Sequence, residues 1–430
     1  MEVSKILARA YSAWNRGGTF RRRRERCKRY TYGDQWSDTV RDCGGAVVTE
    51  GEMIERNGKR AYTNNLIRQL VKTVVGRYRT MAADEGLYRG DIAALARANS
   101  LAELDSRALE EFLISGCAVQ RVVEERRWNG NGVWVDNVDP RRFFVNAFRD
   151  PRGWDIDLVG MLHDMSLPEL VNRFGHGDQA RAAELRRIYG AIGSAPSIGG
   201  DDAAGEAFFA AAEADRCRVV EVWTFDSRPA AGGGADSDFC WHCRYFAPDG
   251  SLLDEYDSPY AHGAHPFAVK FYPLTDGEVH SFVEDVLDQQ KFINRLIVML
   301  DHIMACSAKG VLLFPVEQLP DDSTMAEVAD TWARADGVIP ITGRGLQLPQ
   351  QINGNGGNSG AYQLLQLQMR LFEQVSGVGS ALMGRSSVAR GADMLDNEVR
   401  NATIALADLF ESFRSFTSAR NEKALRVFQQ

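Results

Sequence analysis

The chain has 430 residues, 44% hydrophobic and 25% charged, with 58 acidic against 50 basic side chains and a formal net charge of −8. That supplies a substantial core over two or more structural regions, and the acid excess excludes a protein that grips nucleic acid over its whole surface, because such affinity comes from Lys and Arg neutralising phosphates. Seven cysteines without regular spacing argue for reduced thiols in a cytosol-like compartment, and no run of 18 apolar residues offers a membrane span.

Apolar residues at helical spacing predict a first helix over 3–15, stopped by Gly17-Gly18, and a second from Thr19. The second carries RRRRERCKRY at 21–30, the strongest positive patch, readable as a DNA-phosphate contact or as a solvated or ion-paired helix face. Leu66, Ile67, Leu70, Val71, Val74 and Val75 predict an amphipathic helix over 63–81, followed by a helical region over 92–115. Residues 118–140 alternate across an Asn-Gly turn and predict a β-hairpin. A short helix follows at 165–175, with Ser166 as cap and Pro168 in its first turn. Segments 191–206 and 229–238 read as surface loops, and 218–226, 239–247 and 251–257 as an antiparallel meander turning at Asp249-Gly250. Helices followed by an antiparallel sheet indicate α+β.

Residues 282–308 contain no Pro or Gly and predict a rod of roughly 40 Å at 1.5 Å rise per residue. Val286, Ile293, Ile297, Leu300 and Met304 form one apolar face, while Phe282, Phe292, Leu296, Val298 and Met299 form a second, so the rod needs neighbours on two sides. A strand at 309–315, a helix within 321–335 capped by Asp322 or Ser323, a second strand at 337–342, a loop over 347–360 and a helix over 361–375 complete a rod, tip, rod unit. Next, 376–391 holds Gly377, Gly379, Gly384 and Gly391 with Arg385 and Arg390 and no acid, a composition suited to a loop that changes shape. The chain from 392 is helical, with Leu406, Leu409, Phe410, Phe413 and Phe416 as its packed stripe.

Cys240, Cys243, His262 and His265 are the one set resembling a metal site, and zinc there would support a rival reading as a zinc-stabilised enzyme acting on nucleic acid. Residues three apart on a strand point to opposite faces, which argues against convergence of the two cysteines. There is no GxxxxGK[ST], GxSxG or HExxH, so neither an ATP-driven motor nor a hydrolase is encoded, and no catalytic residue, metal or cofactor is expected.

Four stretches in order, YTYGDQWS (30–37), TNNLIRQLVKTVVGRYR (63–79), HPFAVKFYPLTDGEVHSFVEDVLDQQKFIN (265–294) and VSGVGSALMGRSSVARGADMLDNEVRNATIALADLFESF (375–413), resemble the bacteriophage portal (head-tail connector) family. The resemblance implies an α+β portal fold: N-terminal helices and wing at 1–281, first stem helix at 282–308, clip at 309–345, connecting loop and second stem helix at 346–375, tunnel loop at 376–391, and a helix toward a short crown at 392–430. The chain departs here from family members with long C-terminal barrels. The family's function implies a closed homo-oligomeric ring of about twelve subunits at one capsid vertex, a channel for packaging and ejecting double-stranded DNA. Its implied partners are the large terminase subunit, major capsid and scaffolding proteins and tail adaptors, in the virion and, during assembly, the host cytoplasm, with no membrane. By this resemblance Glu284, Asp285, Asp288, Lys291 and Arg295 would line the stem channel, and Glu317, Gln318, Asp321, Asp322 and Glu327 would form the clip's partner surface. Gly377, Gly379, Gly384, Arg385, Ser386, Ser387, Arg390 and Gly391 would form the DNA-facing tunnel loop.

Overall fold

The computed structural model describes residues 3–127, 130–192, 206–211, 213, 215–229, 237–307, 311–333, 338–343, 347–352, 358–378 and 404–429. The chain divides into a larger unit (Met1–Gln35, Asn65–Asp288, Glu373–Gln430) and a smaller one (Trp36–Asn64, Gln289–Phe372).

Helices α1 (Val3–Arg16) and α2 (Gly18–Tyr32) open the chain, and Gly33 ends α2 at φ 101°, in the left-handed region where glycine carries no Cβ penalty. Paired strands β1 (Thr39–Arg41) and β2 (Val47–Thr49) lead to α3 (Glu50–Arg56), whose start is a reciprocal box between Thr49 and Glu52. Helix α4 (Leu66–Asp84), capped by Asn65, buries Ile67, Leu70, Val71 and Val74 along the expected stripe. The region expected as one helix from 92 to 115 is two, α5 (Ala93–Asn99) and α6 (Leu101–Ser115), because Ser100 between them adopts φ 51°, ψ 45°. The hairpin forms as β3 (Cys117–Arg127) and β4 (Gly130–Asn137).

Strands β5 (Phe143–Val145) and β6 (Leu158–Met165) precede α7 (Leu167–Phe174), capped by Ser166 as expected, and α8 (Gln179–Ile192). The meander is β7 (Cys217–Pro229), β8 (Ser237–Phe246) and β9 (Leu252–Asp257), joined by β6 and β5 into one antiparallel sheet ordered β5-β6-β7-β8-β9. Strand β10 (Phe267–Phe271) pairs with β3, and β11 (Leu274–Thr275) with β12 (Glu278–Val279). After a 3-10 turn at Glu284–Val286 comes α9 (Leu287–Ser307). Strand β13 (Val311–Leu313), α10 (Met325–Ala333), β14 (Gln350–Ile352), α11 (Asn358–Ser376) and α12 (Ala407–Phe428) complete the chain. The strand expected at 337–342 is absent from 338–343, and β13 pairs instead with β14, inside the segment expected to be a loop. The greater parts of the expected loops at 191–206 and 229–238 lie outside the described residues.

The five-stranded sheet organises the larger unit. One face packs Trp223, Cys243 and Tyr245 under Leu170, Phe174 and Leu185 of α7 and α8; the other packs Leu158, Leu162, Val220 and Val222 under Ile6, Ala10 and Trp14 of α1. This sidedness is the period-2 alternation of a strand. A third core joins Val122, Val133 and Val135 to Leu95 and Leu101, closed by Ala424 and Val427 of α12. Farther up α12, Leu409, Phe410, Phe413 and Phe416 are all buried, and Phe413 meets Tyr78 edge-on at 5.1 Å.

The basic run on α2 is partly consumed within the fold. Arg21 is 2% exposed and lies over the Trp14 ring at 3.8 Å, and Arg24 pairs with Glu111 at 2.8 Å. Those two side chains are packing and ion-pair partners, so the 21–30 segment is no uniform phosphate-binding face.

Candidate functional site

The first stem residues begin at the turn before α9. There the Glu284 N–H donates to Ser281 Oγ at 3.1 Å, and Asp285 and Asp288 present exposed side chains. Partial desolvation, then the neighbouring Glu284 charge, raise the Asp285 carboxyl.

Within the smaller unit, α9 carries two i,i+4 pairs of polar residues, Gln290/Asn294 and Lys291/Arg295, which share one side of a helix. Gln290 Nε2 donates to the Asn64 carbonyl (2.6 Å), and Asn294 Oδ1 accepts from the Asn64 N–H (3.1 Å). Lys291 Nζ lies 2.7 Å from Asp38 and 3.3 Å from Glu50, and Arg295 lies 2.9 Å from Glu50. Lys291 and Arg295, expected as channel-lining charges, form ion pairs that hold Asp38 and Glu50 against α9, and the Arg295 side chain stays 55% exposed. Nothing in the motif reading linked Asp38 or Glu50 to this helix, but the i,i+4 polar pattern was the available signal. Phe292, Met299 and Met304 of α9 and Tyr362 and Leu367 of α11 are exposed.

In the tip, Gln318 is fully buried. Its Nε2 donates to the Gln347 carbonyl (3.1 Å), its Oε1 accepts from the Gly343 N–H (2.9 Å), and its backbone carbonyl accepts from the Thr342 N–H. Gln318, expected on the clip's partner surface, is instead buried and cross-links Thr342, Gly343 and Gln347. Gln318→Ala is expected to cost about 1–2 kcal/mol by removing the side-chain bonds to Gln347 and Gly343, read as lost hydrogen-exchange protection at Gly343 while Thr342 keeps its backbone acceptor. Glu317, Asp321, Asp322 and Glu327 remain exposed. The cap of α10 is neither Asp322 nor Ser323: Thr324 Oγ1 accepts from the Glu327 N–H (3.3 Å) and the Glu327 carboxylate accepts from the Thr324 N–H (2.9 Å).

Of the tunnel-loop residues, Gly377 is described. It follows α11 at φ 66°, a position where a side chain is strained, and the neighbouring Val378 N–H donates to Ser376 Oγ. Gly379, Gly384, Arg385, Ser386, Ser387, Arg390 and Gly391 lie outside the described residues.

The four residues weighed as zinc ligands do not converge. Cys243 and Trp241 lie on the α7/α8 face of the sheet, where the Trp241 ring meets His265 at 4.6 Å, whereas Cys240 lies on the opposite face against His242. His265 Nδ1 accepts from the Phe267 N–H and His262 Nδ1 from the Ala264 N–H. Burial, then the Lys423 charge, depress both imidazoles, His262 to about 4.

No helix among the described residues is long and apolar enough to cross a membrane. No curated protein matches the sequence. The family model described as phage P22-like portal protein matches residues 7–430, taking in the five-stranded sheet, α9, α10, α11 and α12 together. Over that extent the match assigns the chain: it belongs to the phage P22-like portal protein family.

Proposed function

We propose that the chain is one subunit of a closed ring of about twelve copies, joined by heterologous contacts whose rotation closes. As in any portal, the ring stands at a capsid vertex and passes the genome, and the reading rests on the family match across residues 7–430. The exposed Phe292 and Met299, two turns apart on one side of α9, and Met304 on another side support packing between like copies, since apolar side chains left open on a free subunit suit an interface. In this reading Asp285 and Asp288 face the channel and repel phosphate, so that DNA slides without adhering. Glu317, Asp321, Asp322 and Glu327 meet the large terminase subunit during packaging and tail adaptors afterwards. The wing meets capsid or scaffolding protein, and assembly takes place in the host cytoplasm. The role is mechanical, and no observation favours a zinc-stabilised enzyme, whose two proposed cysteine ligands fall on opposite faces of one sheet.

Native mass spectrometry with negative-stain imaging tests the ring directly: a single high-order species with a central hole is expected, and a protein that stays monomeric with scaffold present would refute it. For the tunnel loop, Arg385→Ala combined with Arg390→Ala is expected to leave ring yield unchanged while lowering packaged or retained DNA about tenfold, through loss of phosphate contacts. Unchanged packaging and retention would remove both arginines from the DNA path.

A further inference from the structure

Strand β8 sets Cys240 and His242 two residues apart, on one face of the sheet, and the antiparallel register places His242 directly opposite Asp257 of β9. Cys240 Sγ lies 3.2 Å from His242 Nε2, and His242 Nδ1 is hydrogen bonded to Asp257 Oδ1. The imidazole is 2% exposed, Cys240 is half-buried and Asp257 is exposed, so a fixed base stands between a reachable sulfur and a solvated carboxylate. A nucleophile bonded to a base that a third group orients is the arrangement that activates a thiol.

We propose that Cys240 is an activated thiol that exchanges with small disulfides. His242 Nε2 takes the thiol proton, and Asp257 holds the resulting imidazolium. The thiolate attacks one sulfur of the disulfide R–S–S–R, the S–S bond breaks, and the departing R–S⁻ takes up the proton from His242. Cys240 is left in a mixed disulfide and one R–SH is released, with the disulfide itself as oxidant.

Among the described residues, other charges on this face have partners of their own. Asp226 of β7 stands opposite Cys240 in register but accepts from Thr224 Oγ1 (2.8 Å) and lies 3.7 Å from Arg244. Arg244 also donates to Glu255 of β9 (3.2 Å), and Arg9 of α1 pairs with Asp157. Asp257, hydrogen bonded to His242 Nδ1, is placed to balance a charged His242. A metal shared by Cys240, His242 and Asp257 is the competing use of the same atoms. A cation here would replace only the proton between Cys240 Sγ and His242 Nε2, so the two uses are separated by the zinc arm of the test below. Cys27, Cys117, Cys217 and Cys243 are buried, and burial raises each thiol, while Cys43 is exposed and serves as an internal reference.

The test is alkylation of the full-length protein by iodoacetamide in the presence of a chelator, between about pH 5 and 9, with each cysteine read by peptide mass spectrometry. The reactivity midpoint of Cys240 is expected at least about one pH unit below that of Cys43, which makes Cys240 about tenfold faster at the acid end relative to its own plateau. His242→Gln should erase the difference, and Asp257→Asn, at an exposed position, should narrow it. Glutathione disulfide should add its mixed disulfide at Cys240 before Cys43. A midpoint no lower than that of Cys43, measured on the unmutated protein, overturns the proposal. So does one equivalent of zinc that survives dialysis and is lost in Cys240→Ser, which would give these atoms to a metal.

Discussion

Arg420→Met is expected to lower the unfolding free energy of the larger unit by about 3–5 kcal/mol, a large share of the roughly 5–15 kcal/mol that holds a typical domain together. Arg420 of α12 and Asp105 of α6 are 0% and 1% exposed at their side chains and meet at 2.9 Å. Asp105 also accepts from the Tyr88 hydroxyl and from Gln120 Nε2, each at 3.1 Å. Removing the guanidinium leaves a buried carboxylate with two neutral donors and no counter-charge, which is the costly half of breaking a buried pair. Asp105→Asn added to Arg420→Met should recover about half of the loss, because the stranded charge goes with it. Urea titrations of the unassembled proteins measure both. A single-variant loss under about 1 kcal/mol would mean that the pair only balances its own desolvation.

Glu221→Ala should be comparably damaging, at about 3–5 kcal/mol, by stranding Arg121. Glu221 is fully buried, accepts from Trp223 Nε1 at 2.6 Å, meets His163 Nε2 at 2.6 Å and lies 3.4 Å from the Arg121 guanidinium. Burial alone would raise its carboxyl, but the Arg121 charge and then the His163 hydrogen bond override this and hold it far below the usual carboxylate range. Burial lowers His163, and Glu221 offsets that only in part.

Both groups tie stability to pH with the same sign. An imidazole depressed in the folded state lets the unfolded chain take the proton first, so stability falls as pH drops below about 6.5. His163 and His265 act in this way, as does His262, whose loss runs from about 6.5 down to about 4. Glu221 contributes fully above the unfolded carboxylate value of about 4.3, and its contribution is lost only as pH falls through its lower folded value. Urea midpoints should therefore decline from pH 7 toward pH 4 and fall again below it; a flat curve from 7 to 5 would contradict the histidine assignments.

Local physics made much of the fold legible. Apolar spacing marked α1, α4 and α9, Ser166 announced α7, and alternation with turn residues marked β3, β4 and the meander. What escaped depends on partners distant in the chain. Strand β10 completes a sheet with β3, from which some 150 residues separate it, and β14 has the composition of a loop until β13 supplies its ladder. Ion pairs were equally hidden: Arg420 and Asp105 are 315 residues apart, and Arg24 is indistinguishable in the basic run from neighbours that stay at the surface. Lys291, Arg295 and Gln318 have chemistry suited to a channel or a contact surface, but the partners each holds within the subunit are not written in local spacing.

The core closed by Ala424 and Val427 also constrains when this subunit can exist. Leu95, Leu101, Val122 and Val133 emerge from the ribosome first and then wait tens of seconds for the helix that covers them, at ordinary rates of synthesis. Throughout that wait their apolar surface lacks the cover that α12 gives it. A chain broken off before residue 424 lacks the two side chains that close this core, so the larger unit is completed only near the end of these 430 residues.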